Sequence, residues 1–272
     1  MSKERKYDYQ LRKLIYFSPT QTTRKIIEGI AQGVQMATVE HADLTLPDAS
    51  RQKLAEMHDE LAIIGAPVYS GRLPAVAISR LRKLKGNGAP AVIVVVYGNR
   101  AYEDALLELR DIALEAGFKP IAAGAFIGEH SFSTNCTPIA VERPDVKDLG
   151  KAMAFGKMVR EKMMSIGALD QAGSLHVPGN FPYKELRLLS DISPVTQEML
   201  CTRCKRCTLV CPVEAINPDD STLADKSLCI RCCACVKSCL TGAKTMDDLR
   251  IRQAAVQLSV NCSHRMEPET YL

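Results

Sequence analysis

The sequence contains no tryptophan, and aromatic residues make up only 5% of its 272 residues. Long apolar runs are also absent. The longest, around residues 91–97, falls far short of the roughly 18 residues that a membrane-spanning helix needs. The charged and polar residues 1–12 offer no apolar core for a signal peptide. We therefore expect a cytoplasmic protein with no membrane insertion.

Neither sign of charge dominates the composition. The 35 Lys and Arg residues exceed the 31 Asp and Glu residues by only four, which gives no support for a nucleic-acid partner. The apolar fraction of 46% excludes wholesale disorder. At this length the chain can form one large domain and a smaller one.

Cysteine is the residue type with the most uneven distribution. The chain has 11 cysteines, and nine of them lie between Cys201 and Cys239. Disulfides are disfavoured in a protein without an export signal, so this density indicates metal binding. Cys136 and Cys262 stand apart from the group, and we interpret them as ordinary thiols.

Eight of the clustered cysteines form two copies of the spacing C-x2-C-x2-C-x3-C, which is typical of cubane [4Fe–4S] ligands. Two-residue gaps aim three thiolates at one cluster, whereas the fourth cysteine of each copy crosses to the other cluster. The first predicted cluster is held by Cys201, Cys204, Cys207 and Cys239, and the second by Cys229, Cys232, Cys235 and Cys211. Cys233 breaks the spacing and is predicted to be a non-ligand. Zinc, which also uses C-x2-C pairs, is the alternative.

Residues 200–244 resemble the bacterial two-cluster ferredoxins, and the match includes the run from Cys211 and Pro212 to Ile216. Leu240 stands where that family usually has proline, which should change the local turn without removing a ligand. The resemblance implies a small α+β domain over residues 195–272.

The first part of the chain alternates apolar, strand-like runs with helix-like stretches. The predicted strands are residues 11–17, 37–44, 61–66, 92–97 and 121–127. The predicted helices are residues 22–34, 50–57, 74–84, 102–116 and 146–164. This alternation predicts an α/β domain over residues 1–166 with a doubly wound, five-stranded parallel sheet. Residues 167–194, rich in Gly and Pro, are predicted to be a linker or wrapping arm, and beyond them the periodicity disappears.

A hydroxyl-rich loop follows the first predicted strand and runs directly into a predicted helix. It places four hydroxyls and several backbone N–H groups at the helix N-terminus, where a phosphate is stabilised. The loop has no Gly-Lys-Ser/Thr and no GxGxxG, so neither a Walker site nor a dinucleotide fold is indicated. An ordinary capped strand–helix turn is the alternative.

This domain resembles the flavodoxins, whose loop after the first strand binds the phosphate of FMN. The resemblance implies that Ser18, Thr20, Thr22 and Thr23 bind phosphate, with Gln21 where relatives often have glycine. It further implies that two more loops flank the isoalloxazine ring. Their candidate residues are Pro67, Val68, Tyr69, Ser70 and Gly71 after the third strand, and Tyr97, Gly98, Asn99, Arg100 and Ala101 after the fourth. Tyr69 is the predicted stacking or edge residue.

The combination resembles the flavodoxin–ferredoxin fusion proteins of anaerobic bacteria and archaea. That resemblance implies an oxygen-sensitive electron carrier that passes electrons between FMN and two [4Fe–4S] clusters, to or from a redox partner protein.

Two other functions are compatible with the residues. A flavin-dependent reductase, fed by the clusters, could bind an anionic small molecule at Tyr69, Arg72, Arg100 and His130, with His130 as a candidate proton donor. An electron carrier is favoured over such an enzyme. The third possibility is an interaction module whose first domain no longer binds flavin.

Overall fold

The computed structural model of the chain describes residues 11–35, 38–50, 57, 60–165, 173–186 and 191–272. Its central sheet contains five parallel strands in the order β2-β1-β3-β4-β5, which is the flavodoxin-like order of doubly wound sheets. These strands are β1 (Leu11–Tyr16), β2 (Thr38–Asp43), β3 (Leu61–Pro67), β4 (Pro90–Tyr97) and β5 (Lys119–Ile127). The predicted fold class is therefore confirmed.

Four helices belong to this domain: α1 (Thr22–Val34), α2 (Ala75–Leu81), α3 (Ala105–Glu115) and α4 (Val146–Ser165). All four occur where the sequence predicted helices. The remaining predicted helix, residues 50–57, falls mostly on residues 51–56, which lie outside the described residues; a 3-10 turn at Pro47–Ser50 precedes them. In the described part of the chain, no helix combines the length and apolarity needed to cross a bilayer.

Strand β4 shows why the sheet is covered on both faces. All of its residues are buried, as expected of a central parallel strand. Val94 belongs to the same apolar cluster as Ile27 of α1 and Phe155 of α4. Val95 points to the opposite face, in the cluster that contains Leu106 of α3. The β-branched run therefore forms the centre of the sheet. Because the five strands are parallel, their C-terminal ends lie together at one edge of the sheet.

The cysteine-rich part contains short elements and one longer helix. They are β6 (Val195–Thr196), α5 (Arg206–Leu209), α6 (Ala234–Lys237), β7 (Lys244–Thr245), α7 (Leu249–Asn261) and β8 (Glu269–Tyr271). β6 pairs with β7, whereas β8 returns to the first domain and pairs antiparallel with β5. Helices and strands thus continue beyond residue 194, in line with the small α+β domain that the resemblance implies. Helix α7 buries only Ile251 and Ala255, so its apolar face is too narrow for the helix to be predicted from hydrophobic periodicity.

Part of the predicted linker is held firmly against the first domain. The backbone N–H groups of Asn180 and Lys184 donate to the Asp104 carboxylate at 2.8 and 2.7 Å. The Tyr183 hydroxyl donates to Asp111 of α3 at 2.6 Å. Residues 173–186 thus wrap across the domain, and the predicted boundaries at residues 166 and 194 stay predictions.

Candidate functional site

The loop between β1 and α1 is built to leave helix N–H groups available. Helix α1 starts at Thr22, and the side chain of the preceding Gln21 does not cap it, so the first N–H groups need partners from outside the helix. The preceding residue, Gln21, has φ 64°, in the left-handed region that glycine adopts most readily. This conformation is the one expected at a position where flavodoxins often carry glycine. The loop keeps its turn although the side chain is glutamine.

Two of the predicted phosphate-binding hydroxyls have different roles. The Ser18 Oγ accepts a hydrogen bond from the N–H of Arg24 at 3.1 Å, and the Ser18 N–H donates to Thr45 Oγ1 at 2.8 Å. Ser18 therefore shapes the loop. The Thr23 Oγ1 is buried and has no hydrogen-bond partner among the described residues. A buried hydroxyl without a partner is costly, and Thr23 thus retains one unused hydrogen-bond donor at the start of α1.

The loops after β3 and β4 lie against each other. The Asp104 N–H donates to the Gly71 carbonyl at 3.1 Å. A Cβ on Gly71 would lie 2.9 Å from the Glu103 Cβ, closer than atoms of this kind approach. These contacts leave no gap for an isoalloxazine ring between Gly71 and the Glu103–Asp104 pair.

Tyr69, the predicted stacking residue, is half-buried. Its hydroxyl hydrogen-bonds with Ser131 and lies near Cys232 and Cys233, and burial raises its pKa well above the usual value. The structure therefore places Tyr69 against the second group of cysteines.

The loop at the end of β4 is covered by the C-terminal part of the chain. The Asn99 side-chain amide donates to the carbonyls of Cys262 and His264, both at 2.7 Å. Its carbonyl oxygen accepts from the Met266 N–H at 3.1 Å. A Cβ on Gly98 would lie 2.8 Å from the His130 Cβ, so the imidazole packs directly on this backbone. The predicted ring-edge residues around Asn99 thus have partners within the chain.

The four residues of the alternative substrate pocket do not form an open anion site. Arg72 donates to both carboxylate oxygens of Glu108, from Nε at 2.9 Å and from Nη2 at 2.5 Å. Arg100 pairs with Glu103. His130 accepts a hydrogen bond at Nδ1 from the Phe132 N–H at 3.0 Å. With both guanidinium groups paired to carboxylates, the arrangement offers little free positive charge.

His130 is a neutral imidazole near pH 7. Burial, followed by the nearby positive charges of Lys237 and Arg100, lowers its pKa to about 4. At neutral pH it is therefore not a stored proton for a reduced cofactor.

Replacing His130 with glutamine is expected to reduce the loss of stability at acid pH. The folded-state pKa of His130 lies below its unfolded value, so the unfolded chain binds the additional proton and stability falls as pH drops from about 6.5 through about 4. The wild type should lose about 2 kcal/mol of unfolding free energy between about pH 7 and about pH 5 from this group. Urea unfolding followed by circular dichroism at both pH values measures the difference.

The matched control is His176→Gln, because His176 is exposed and shares the same chemistry. Cluster loss at acid pH affects all three proteins equally and cancels in the comparison. Equal pH dependence of the wild type and His130→Gln would contradict a lowered pKa for His130.

The eight predicted ligand cysteines form two predicted groups, and the structure places several of them near one another. The Cys232 thiol lies among those of Cys235, Cys211 and Cys229, and burial raises its pKa well above the usual value. Cys204 lies near Cys239, and Cys207 near Cys201. Cys207 also lies near Cys235 of the other predicted set, so the crossed pairing stays a prediction. No three His, Cys, Asp or Glu side chains within the described ranges converge on a single-ion site.

The two cysteine groups differ in depth. Cys211, Cys232 and Cys235 of the second group are buried, and Cys229 is half-buried. In the first group Cys204 is exposed and the other three are half-buried. The predicted non-ligand Cys233 is buried, with its Sγ 3.7 Å from the Arg231 carbonyl oxygen. The second group is therefore the inner one, and the first faces solvent.

Arg80 fixes the cysteine-rich part onto the strand ends of the first domain. Its buried guanidinium donates to the carbonyls of Leu44 and Thr45, at 2.8 and 2.6 Å, and to the carbonyl of Pro212 at 2.7 Å. Sequence analysis missed this residue because nothing local in the predicted helix 74–84 indicates that Arg80 is buried. A buried arginine needs several acceptors, and the two parts of the chain together provide them.

A cleft of about 320 Å³ lies between the two parts of the chain. One wall is formed by the loops after β1 and β2, including Thr20, Gln21, Thr45 and Leu46. The other is formed by residues of α5 and α6 and their C-terminal neighbours. These are Arg206, Leu209, Val210, Ala234, Lys237 and Ser238. Tyr69 and the residues from Tyr97 to Ala101 do not line it. The cleft thus joins the candidate phosphate loop to the helices that carry the cysteines.

Comparisons with known proteins match each part of the chain separately. A family model described as a 4Fe-4S binding domain matches residues 194–217. A flavodoxin from the domain Archaea is 13% identical, covering 57% of this chain and 99% of its own, with a TM-score of 0.36. The flavodoxin of Streptococcus pneumoniae TIGR4 is 19% identical, with coverages of 56% and 99% and a TM-score of 0.38. The flavodoxin of Fusobacterium nucleatum, bound to flavin mononucleotide, is 14% identical, with coverages of 56% and 98% and a TM-score of 0.37. No curated protein matches the chain.

The strand order and the matched cysteine segment define an iron–sulfur protein built on a doubly wound α/β domain. More particularly, the chain combines a flavodoxin-like domain with a ferredoxin-type 4Fe-4S domain, as the sequence predicted.

Proposed function

We propose that this protein is a cytoplasmic electron carrier that passes electrons between FMN and two [4Fe–4S] clusters, to or from a redox partner protein. The observation that supports it most is the cleft, because one wall is the phosphate loop and the other is formed by α5 and α6. A bound FMN would supply two-electron storage, whereas each cubane cluster accepts one electron at a time.

The residues of the phosphate loop fit the anionic end of FMN. The N-terminus of α1 carries a partial positive charge, and its first N–H groups, apart from that of Arg24, are suited to phosphate oxygens. The buried Thr23 hydroxyl can donate to the same group. On the same wall of the cleft, Asp43 and Thr45 offer oxygens suited to the hydroxyls of a ribityl chain.

The cysteine groups suit a relay from the cleft to the surface. The proposed second cluster lies inside, against Tyr69, and the proposed first cluster lies near solvent. Met199 and Leu240, each next to or near a ligand of the first cluster, are 99% and 82% exposed. Apolar side chains at such a position favour docking of a partner protein.

A flavin-dependent reductase is the less favoured function, because Arg72 and Arg100 are paired with carboxylates and His130 is neutral. The experiment that separates the functions begins with FMN and iron content per chain after anaerobic purification. A carrier holds about one FMN and about eight irons, and reduction of the flavin reduces the clusters. If the protein holds no FMN after reconstitution with excess FMN, its flavodoxin-like domain does not bind flavin, and only the ferredoxin-type domain carries redox groups.

Replacing Thr23 with valine is expected to change stability and FMN affinity in opposite directions. Removing a buried hydroxyl that has no partner should raise the unfolding free energy of the FMN-free protein by about 1 kcal/mol. Loss of a charge-assisted hydrogen bond should weaken FMN binding about tenfold or more. Urea unfolding and fluorescence titration measure the two effects.

The control is Ser79→Ala, which removes an exposed hydroxyl of α2 that bonds to the Val76 carbonyl and does not line the cleft. It should alter neither quantity by more than a small amount. A Thr23→Val protein that binds FMN as tightly as the wild type would remove Thr23 from the proposed site.

A further inference from the structure

The cleft beside the phosphate loop receives half of its lining from the ferredoxin-type domain. Of the twelve residues that line it, six follow residue 200, on α5, α6 and the residues next to them. The wall from the first domain ends at Leu46. A ligand held by the phosphate loop in this cleft therefore touches both domains.

The position that flavodoxins use for the isoalloxazine ring is closed in this chain. Gly71 is in contact with Glu103, and Gly98 is in contact with His130. Asn99 is fully engaged by the C-terminal segment. Opening a gap there would break these contacts, whereas the cleft already adjoins Thr20 and Gln21 and needs no such change.

The two basic residues of the second wall are not equivalent. Lys237 donates to the Ser133 carbonyl at 2.8 Å and pairs with Glu129, so its charge is already compensated. Arg206 is exposed and forms no ion pair with any residue in the described part of the chain. A guanidinium group is well suited to phosphate oxygens, which accept two parallel hydrogen bonds.

We propose that the flavin site is shared between the two domains: the isoalloxazine ring lies in the cleft against α5 and α6, and Arg206 binds the FMN phosphate. This inference rests on the proposed function. It assigns a flavin-binding role to the ferredoxin-type domain, and it places the ring beside the helices that carry cysteines of both clusters. The conventional ring position between the loops after β3 and β4 is left unused.

The first test compares Arg206→Ala with Arg203→Ala in the full chain with its clusters. Arg203 is also exposed, but it does not line the cleft and lies near Asp220. Fluorescence titration should show FMN binding weakened about tenfold or more by Arg206→Ala and less than about twofold by Arg203→Ala. Riboflavin, which has no phosphate, should bind both variants equally. Iron content checks that each variant retains its clusters.

The second test locates the ring. Leu46→Trp fills the cleft from the first domain, and Leu240→Trp adds the same side chain at an exposed position outside it. Leu46→Trp should abolish binding of both FMN and riboflavin, whereas Leu240→Trp and Tyr69→Ala should change it less than about threefold.

The outcomes separate this inference from the proposed function. If the wild type binds no FMN, the proposed function fails. Suppose instead that the wild type binds FMN in a way that Tyr69→Ala abolishes and that Arg206→Ala and Leu46→Trp leave intact. In that case the ring lies between the β3 and β4 loops, and the shared site is overturned. Binding that depends on Arg206 and Leu46 supports the shared site.

Discussion

Replacing Cys211 with alanine is expected to remove one cluster completely and leave the other intact. Iron content should fall by about half, because a cubane that loses one of its four thiolates is not retained. In the crossed pairing the lost cluster is the one shared with Cys229, Cys232 and Cys235, whose thiols lie around Cys211. Cys233→Ala is the matched control, because Cys233 is equally buried and lies outside both predicted ligand sets. It should keep all the iron.

Two double variants turn this expectation into a test of the pairing. Cys211→Ala with Cys232→Ala removes two ligands of the same cluster, so about half of the iron should remain. Cys211→Ala with Cys204→Ala removes one ligand from each cluster, and nearly all the iron should be lost. If the four cysteines of each sequence copy held their own cluster, these two results would be exchanged. Iron analysis and electron paramagnetic resonance of the reduced proteins distinguish the cases.

The parts of the fold that the sequence predicts well are those that depend on local pattern. The β-branched run of β4 is buried throughout, and the period-2 alternation of Val94 and Val95 sends neighbouring residues to opposite cores. The two cysteine copies are equally local, because the residue spacing itself determines which thiolates can reach one cluster. These features need no knowledge of the rest of the chain.

Other parts depend on contacts between segments distant in the sequence. Strand β8 is only Glu269–Tyr271, with a polar sequence, and it exists because its backbone pairs with β5. The two-domain cleft likewise requires the contact of Arg80 with the Pro212 carbonyl. The Ser- and Thr-rich loop predicted the phosphate end of the candidate site. Closure of the ring position arises from Glu103 and His130, whose packing no spacing rule describes.

A buried ion-pair network joins the first domain to the C-terminal segment. The Asp148 carboxylate accepts from Arg143 Nε at 2.9 Å and Nη2 at 2.6 Å, and from Arg265 Nη2 at 2.9 Å. The side chains of Arg143 and Asp148 are only 5% and 1% exposed. Arg143 also donates to the side-chain carbonyl oxygen of Asn99 at 3.1 Å. The network therefore links α4, the loop after β4 and the segment that covers that loop.

Replacing Asp148 with asparagine is expected to destabilise the protein more than any exposed charge change. It leaves the Arg143 guanidinium buried without a counter-charge, which costs about 3–5 kcal/mol of unfolding free energy. The control is Glu115→Gln, which breaks the pair with Arg82, whose side chains are 57% and 58% exposed. That change should cost less than about 1 kcal/mol. Urea unfolding at neutral pH measures both.

A double variant shows whether the loss arises from an unpaired buried charge or from altered packing. Arg143→Met with Asp148→Leu removes both buried charges and fills the space with apolar groups of similar size. Arg265 is 36% exposed and can be solvated without Asp148. Because no lone charge remains buried, the double variant should be more stable than Asp148→Asn by at least about 2 kcal/mol. If it is as unstable as Asp148→Asn, the network stabilises the protein through its specific hydrogen bonds to Asn99 and Arg265 rather than through charge compensation. A Cys262–Met266 segment that becomes sensitive to protease in the double variant but not in Asp148→Asn would support that conclusion, because Asn99 loses its Arg143 donor only in the double variant.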